Sequence, residues 1–199
     1  MIFRLVFPAL LALAMQTAVC GQAPAEGLKD AVVLVIRHSE KPRTGRGLAP
    51  AGVARAEAYV GYFRNYTVAG KPLKLDCLIA TADTRRSHRP RLTLEPLGKA
   101  LGMAIDTRFI EGDAQALVDE LRARPHGHGI LIAWHHGEIA ALVSALGADP
   151  GQVLPGGRWP ENLYDRLIQL RFDAQGRLAE AKGINENLMP GDSSDAPAA

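Results

Sequence analysis

Cysteine is scarce: the 199 residues hold two, Cys20 and Cys77. That excludes a disulfide-stapled scaffold and a Cys-rich zinc module. An excess of one charge is missing too, with 23 Lys and Arg against 21 Asp and Glu, a net charge of +2. No global field draws the chain to nucleic acid or to an anionic membrane, so any anion site must be built locally. No apolar run reaches the length of about 20 residues that a membrane span needs. Several reaction motifs are also absent. There is no G-x-S-x-G elbow, no G-x-x-x-x-G-K-[ST] loop and no H-E-x-x-H pair. Cys77 is followed six residues later by Asp83 rather than by an arginine, so a cysteine-phosphatase loop is excluded. His126-Gly127-His128 lacks the other ligands of a metal site and reads as a solvent loop, so no metal is expected.

What is present is an ordinary globular composition, 47% apolar and 22% charged, long enough for one domain with a full core. The first twenty residues differ from the rest. Arg4 is their only charge, an apolar run extends from Leu5 to Met15, and Ala18 and Cys20 offer small side chains before Gly21. This layout predicts a secretory signal over residues 1–20 and a periplasmic or secreted mature protein beginning between Cys20 and Pro24. A cut before Cys20 would leave it acylated, but Thr17 and Val19 fit that lipoprotein signal poorly. Without a lipid anchor there, no stable membrane insertion is expected after processing. Once residues 1–20 are removed, Cys77 is the only cysteine left. Residues 21–30 read as a linker, 31–188 as the domain, and 189–199 as a low-complexity flexible tail.

Within the domain, strands and helices alternate. The runs 31–36 (AVVLVI), 75–80 (LDCLIA) and 129–134 (GILIAW) have the continuous apolar character of strands buried on both faces. Helices are expected at 50–66, 90–101, 114–123 and 138–146, a short strand at 104–107, and a closing strand pair at 166–172 and 178–184. The pattern predicts an α/β fold, a single-domain three-layer α/β/α sandwich with a mostly parallel central sheet.

Ligands in such sheets bind at the carboxyl ends of the strands. The first strand is followed by Arg37-His38-Ser39-Glu40-Lys41. The second is followed by TADTRRSHRPRLT, which carries Arg85, Arg86, Arg89 and Arg91. The third is followed by His135-His136-Gly137. Three strand ends therefore bring arginines and histidines to one edge, a cluster that would repel itself without an anionic partner.

These residues carry a resemblance. A buried strand ending in Arg37-His38 is similar to the signature of the histidine phosphatase superfamily, of phosphoglycerate-mutase-like, branch 1 type. Arg89-Pro90-Arg91-Leu92-Thr93 resembles that family's second segment and Trp134-His135-His136-Gly137 its third. His136 is taken as the matching histidine because Gly follows it directly. His38 and Arg89 lie 51 residues apart, and Arg89 and His136 lie 47 apart. The family usually has Gly where this chain has Ser39. The resemblance implies a phosphomonoesterase acting through a phosphohistidine on His38. Arg37, Arg89 and His136 would bind the phosphate of a small phosphorylated substrate, and no cofactor would be needed. A proton donor is expected beside the pocket, with Glu111 first, Asp113 second and Glu138 third. Glu111 has another reading, as a carboxylate complementing the dipole of the helix at Ala114. A phosphomutase and a non-catalytic phosphate-ligand or protein-binding module are the alternatives on the same fold.

Overall fold

The computed structural model of the chain describes residues 27–192. The expected signal, the beginning of the linker and residues 193–199 lie outside the described residues. In chain order the elements are β1 (Val32–Arg37), α1 (Pro50–Arg64), β2 (Thr67–Val68), β3 (Lys71–Pro72), β4 (Cys77–Ala80), α2 (Arg89–Leu101), β5 (Ile105–Asp106), α3 (Ala114–Ala123), β6 (Gly129–Trp134), α4 (Ile139–Ala145), the short α5 (Pro150–Val153), β7 (Arg166–Phe172) and β8 (Leu178–Asn185). The first helix stops at Arg64, two residues short of its expected end, because the chain turns into the β2–β3 hairpin. That hairpin and α5 are too short to leave a periodic pattern in the sequence.

One six-stranded sheet runs in the order β5-β4-β6-β1-β7-β8. β5, β4, β6 and β1 are mutually parallel, while β7 pairs antiparallel with both β1 and β8. β1 therefore has strands on both sides. Its six residues are all buried, which explains the unbroken apolar run. Alternate strand residues face opposite layers. Val33, Val35, Ile130 and Ile132 pack with Leu117, Val118 and Leu121 of α3 and with Ile139, Leu142 and Val143 of α4. Leu34, Ile36, Leu131 and Ala133 pack with Tyr59 and Phe63 of α1 and with Leu94 and Leu97 of α2. The result is the expected three-layer sandwich, with its strand ends free to hold a site. α2 is terminated by Gly102 in the left-handed region at φ 66°, where its amide closes on the carbonyls of Gly98 and Lys99.

Both ends of the domain are more firmly held than the sequence implies. Residues 27–30, expected in a linker, form a turn instead. The Gly27 amide donates to the Arg122 carbonyl at 3.2 Å, the Asp30 amide to the Asp173 carbonyl at 3.0 Å, and Leu28 sits in the core. Residues 189–192, expected in a flexible tail, fold back on α1. Buried Arg55 donates to Asp192 at 2.6 and 3.0 Å and to Glu40 at 2.8 and 3.0 Å. Glu186 lies beside this cluster, accepting from the Tyr59 hydroxyl at 2.9 Å. Its burial pushes its pKa up to about 8.

α1 also touches the loop behind His38 through Gly52. A methyl group built on Gly52 would stand 2.5 Å from the Glu40 carbonyl oxygen and 2.8 Å from its amide nitrogen, both backbone atoms. Gly52→Ala should therefore cost about 1–3 kcal/mol by overpacking. Urea denaturation measures the loss, and an unchanged midpoint would show that the helix and loop do not meet this closely.

Candidate active site

Parallel pairing sets the site. In the β1–β6 register Arg37 stands opposite Trp134, and the His38 amide continues the ladder to the Trp134 carbonyl at 3.0 Å. One step further, His38 and His135 leave the two strands side by side. Their ring centroids are 5.2 Å apart and inclined at 70°, whereas His136 lies 6.3 Å from His38. The sequence reading chose His136 from the glycine that follows it. The structure brings His135 closer to His38, and a register argument could have found it, since both six-residue strands end immediately before or on the matching pair. His136 faces Arg37 instead, its Nδ1 3.5 Å from Nη2.

His38 is 1% exposed. Its Nδ1 lies 2.7 Å from the Ser39 carbonyl oxygen, which can only accept, so Nδ1 carries the proton. Nε2 then holds the lone pair, and it has no hydrogen-bond partner among the described residues. Burial lowers the His38 pKa to about 3, and the charges of Arg37, His135 and Arg89 push the same way against the Ser39 carbonyl. Burial also lowers His135 to about 4, helped by Arg89 and Arg37. His136 is lowered by burial first and by Arg37 next. All three imidazoles are therefore neutral near pH 7.

Arg37 is fully buried and held on several sides. Its Nη1 donates to the carbonyls of Glu161 at 2.7 Å, Leu163 at 2.8 Å and Pro160 at 3.3 Å, and its guanidinium carbon stacks 3.8 Å above the Tyr164 ring. Burial lowers its pKa to about 10, which still leaves a cation at neutral pH. Of the expected phosphate ligands, Arg37 is thus partly committed to the 160–164 loop. Its Nε and that of Arg89, the first residue of α2, are buried donors without a partner among the described residues. Such donors are rare. Two of them on arginines whose fields both act on one imidazole fit a ligand with several acceptor oxygens. Thr93, one helical turn after Arg89, accepts from the Ser39 amide at 2.9 Å and so joins α2 to the loop after His38. A cavity of about 800 Å³ on the far side of the 160–164 loop is lined by Arg55, Asp165, Arg166 and Asp192, and none of the three histidines reaches it.

The three candidate acids occupy different positions. Glu111 Oε2 lies 3.6 Å from His135 Nε2, with the carboxylate side chain 56% exposed. The Glu111 main-chain carbonyl accepts from the buried Trp134 indole at 3.0 Å, which ties its loop to the end of β6. Asp113 precedes α3 and accepts from the Ile110 amide at 3.2 Å, so its carboxylate closes a local turn. Glu138 precedes α4, and its amide turns back to the His135 carbonyl at 2.9 Å. Only Glu111 of the three is brought against a site histidine among the described contacts. The N-cap of α3 is Asp113, and no described hydrogen bond joins the Glu111 carboxylate to the amides of that helix.

No protein-family model matches the chain, and no curated protein matches it by sequence. Solved structures do. A phosphoglycerate mutase from Plasmodium falciparum is 12% identical, with a TM-score of 0.53, covering 83% of this chain and 98% of its own. A protein from Agrobacterium tumefaciens provisionally assigned as the phosphohistidine phosphatase SixA is 19% identical, with a TM-score of 0.50, covering 76% of this chain and 97% of its own. An Escherichia coli protein provisionally assigned as an α-ribazole-5′-P phosphatase is 13% identical, with a TM-score of 0.50, covering 79% and 97%. Sheet order and layers thus converge with these likenesses on one architecture, and the chain has the phosphoglycerate-mutase-like fold.

Proposed function

We propose that the protein is a phosphomonoesterase working through a phosphohistidine on His38, on a small phosphorylated substrate outside the cytoplasm. The observation that carries this reading is the state of His38. It is a buried, neutral imidazole with its proton fixed on Nδ1 and its Nε2 lone pair free, and two arginines with unpaired Nε donors act on it. A neutral imidazole is a nucleophile, an imidazolium is not.

The steps follow from these groups. His38 Nε2 attacks phosphorus, forming the N–P bond as the ester P–O bond breaks in line. Arg37, Arg89 and the neighbouring imidazoles of His135 and His136 hold the equatorial oxygens, and their stabilisation of the spreading charge needs no reorganisation. The Glu111 carboxyl donates its proton to the leaving oxygen. Its carboxylate then takes a proton from the water that attacks the phosphohistidine, returning neutral His38 and releasing phosphate. The 3.6 Å between Glu111 and His135 is long for a hydrogen bond, as is common in unliganded sites. The place outside the cytoplasm rests on the signal-like residues 1–20 alone. A binding module on this fold would not need a nucleophile held in one tautomer, and a phosphomutase would pass the phosphoryl group to a second substrate hydroxyl instead of to water.

Three outcomes are expected. His38→Ala should lower kcat on p-nitrophenyl phosphate by about 10³-fold or more while tungstate still binds, because the arginines remain. His135→Ala should lose about 10²-fold in kcat, and His136→Ala should chiefly raise KM. Equal effects of the two would restore His136 as the matching histidine.

Glu111→Gln should slow esters of alkyl alcohols by about 10²–10⁴-fold and spare aryl phosphates, whose leaving groups need less protonation. Equal loss on both ester types removes Glu111 from proton transfer.

The neutral His38 also predicts a pH dependence. Its unfolded pKa is about 6.5, and burial depresses the folded value to about 3. The unfolded chain then binds a proton that the native state refuses, so this group's contribution to stability is complete above about pH 6.5 and is lost as pH falls. Between pH 7 and pH 5 the wild type should lose about 2 kcal/mol relative to His38→Gln. Parallel denaturation curves across that range would show that His38 is charged in the folded protein.

A further inference from the structure

Positive charge is concentrated at the strand-end edge far beyond what one phosphate requires. Residues 37–46 and 83–91 hold eight of the 23 Lys and Arg and two of the 21 Asp and Glu. They carry a net +6 in a chain whose whole charge is +2, so the remainder is acidic. The acids beside these cations are already engaged. Asp83 pairs with Arg91 at 2.9 Å, Glu40 with Arg55 at 2.8 Å, and Glu161 neutralises Lys41 at 2.9 Å. Arg43, Arg46, Arg85 and Arg86 are exposed, and none makes an ion pair or a side-chain hydrogen bond among the described residues.

The two loops that carry these four arginines are ordered and joined. Residues 84–87 form a tight turn, with the Thr84 amide donating to the Ser87 carbonyl at 2.9 Å and the amides of Arg86 and Ser87 donating to the Thr84 hydroxyl at 3.1 and 3.0 Å. Arg85 and Arg86 are its two central residues. Buried Ser87 accepts from the Arg89 amide at 3.3 Å, so the turn is tied directly to the phosphate-binding arginine. The His88 amide donates to the Arg46 carbonyl at 3.0 Å, which brings the 42–47 loop against the turn. Arg86 is three residues from Arg89, a separation no chain can stretch beyond about 11 Å. The turn carrying Arg85 and Arg86 is thus tied to Arg89, and the loop carrying Arg43 and Arg46 is tied to the neighbouring His88, so all four unpaired arginines belong to the two loops that flank the site.

We propose that Arg43, Arg46, Arg85 and Arg86 form a second anion subsite, and that the substrate is a small phosphate ester bearing at least one further phosphate group. This rests on the phosphatase reading above. Arginine suits the task because its planar fork meets phosphate oxygens in pairs. The subsite acts on substrate affinity and not on the bond broken at His38, so a substrate with a single phosphate gains nothing from it.

The test uses Arg85→Ala/Arg86→Ala and Arg43→Ala/Arg46→Ala double variants. Hydrolysis of p-nitrophenyl phosphate, which carries one phosphate, is inhibited with inorganic phosphate and, separately, with fructose 1,6-bisphosphate. In the wild type the bisphosphate should inhibit at least about ten-fold more tightly than phosphate, the worth of one charge-assisted hydrogen bond. Each double variant should narrow that gap several-fold, leave inhibition by inorganic phosphate and kcat on the aryl ester unchanged, and show less dependence on salt. Absence of the gap in the wild type, or a gap that survives both double variants, overturns the subsite. Calorimetric titration of His38→Ala with the same two ligands reads the subsite without turnover. A protein that hydrolyses nothing but keeps the arginine-dependent preference in calorimetry would refute the phosphatase reading and leave the subsite standing.

Discussion

A guanidinium buried at the end of a six-stranded sheet must be surrounded by acceptors, and meeting that demand shapes the rest of the site. Among the described residues no carboxylate forms an ion pair with Arg37, although Glu40 and Glu161 lie near enough to favour its charge. Arg37 is satisfied by three backbone carbonyls of residues 160–163 and by the face of Tyr164. The loop can supply them only by curling over the end of β1, and Trp159, whose indole donates to the Leu163 carbonyl at 2.8 Å, holds it in that curl. The same cation helps keep His38, His135 and His136 neutral. One buried charge thus anchors a loop, adds to the burial that keeps three imidazoles neutral and leaves a donor over for an anion.

Much of this was legible in the sequence for a plain reason. A strand with neighbours on both sides has no polar face, so Val32–Arg37 and Gly129–Trp134 are visible as apolar runs, and the residues that end them are the ones placed at the ligand edge. The amphipathic spacing of Leu117, Val118 and Leu121 gave α3 with its bounds. The choice between His135 and His136 was not legible from the following glycine, because it depends on how β6 registers against β1, and register is a pairing between segments far apart in sequence. The order of the candidate acids was similar. Glu111, Asp113 and Glu138 are indistinguishable as residue types, and they separate only when Trp134 fixes the Glu111 loop and Asp113 closes its own turn.

The ends of the domain were misread for a different cause. Composition assigned residues 27–30 and 189–192 to connecting and trailing chain, since Gly, Pro, Asp and Lys prevail there. What holds them is backbone hydrogen bonding to Arg122 and Asp173, far along the chain, and a buried ionic cluster that has no periodicity to display. Polar burial of this sort is invisible to any argument from hydrophobic pattern.

The Arg55 cluster has a consequence for the order in which the molecule is made. Glu40, two residues after His38, reaches Asp192 through a single intervening guanidinium. The segment behind His38 leaves the ribosome among the first of the folded domain, yet two of Arg55's three carboxylate partners, Glu186 and Asp192, arrive about 150 residues after Glu40. During synthesis Arg55 and Glu40 can meet early, but the pair stays open to water until the last described turn closes over it. The surroundings of the nucleophile are begun early and completed late, so a nascent chain carries His38 without its finished setting until Asp192 has been made.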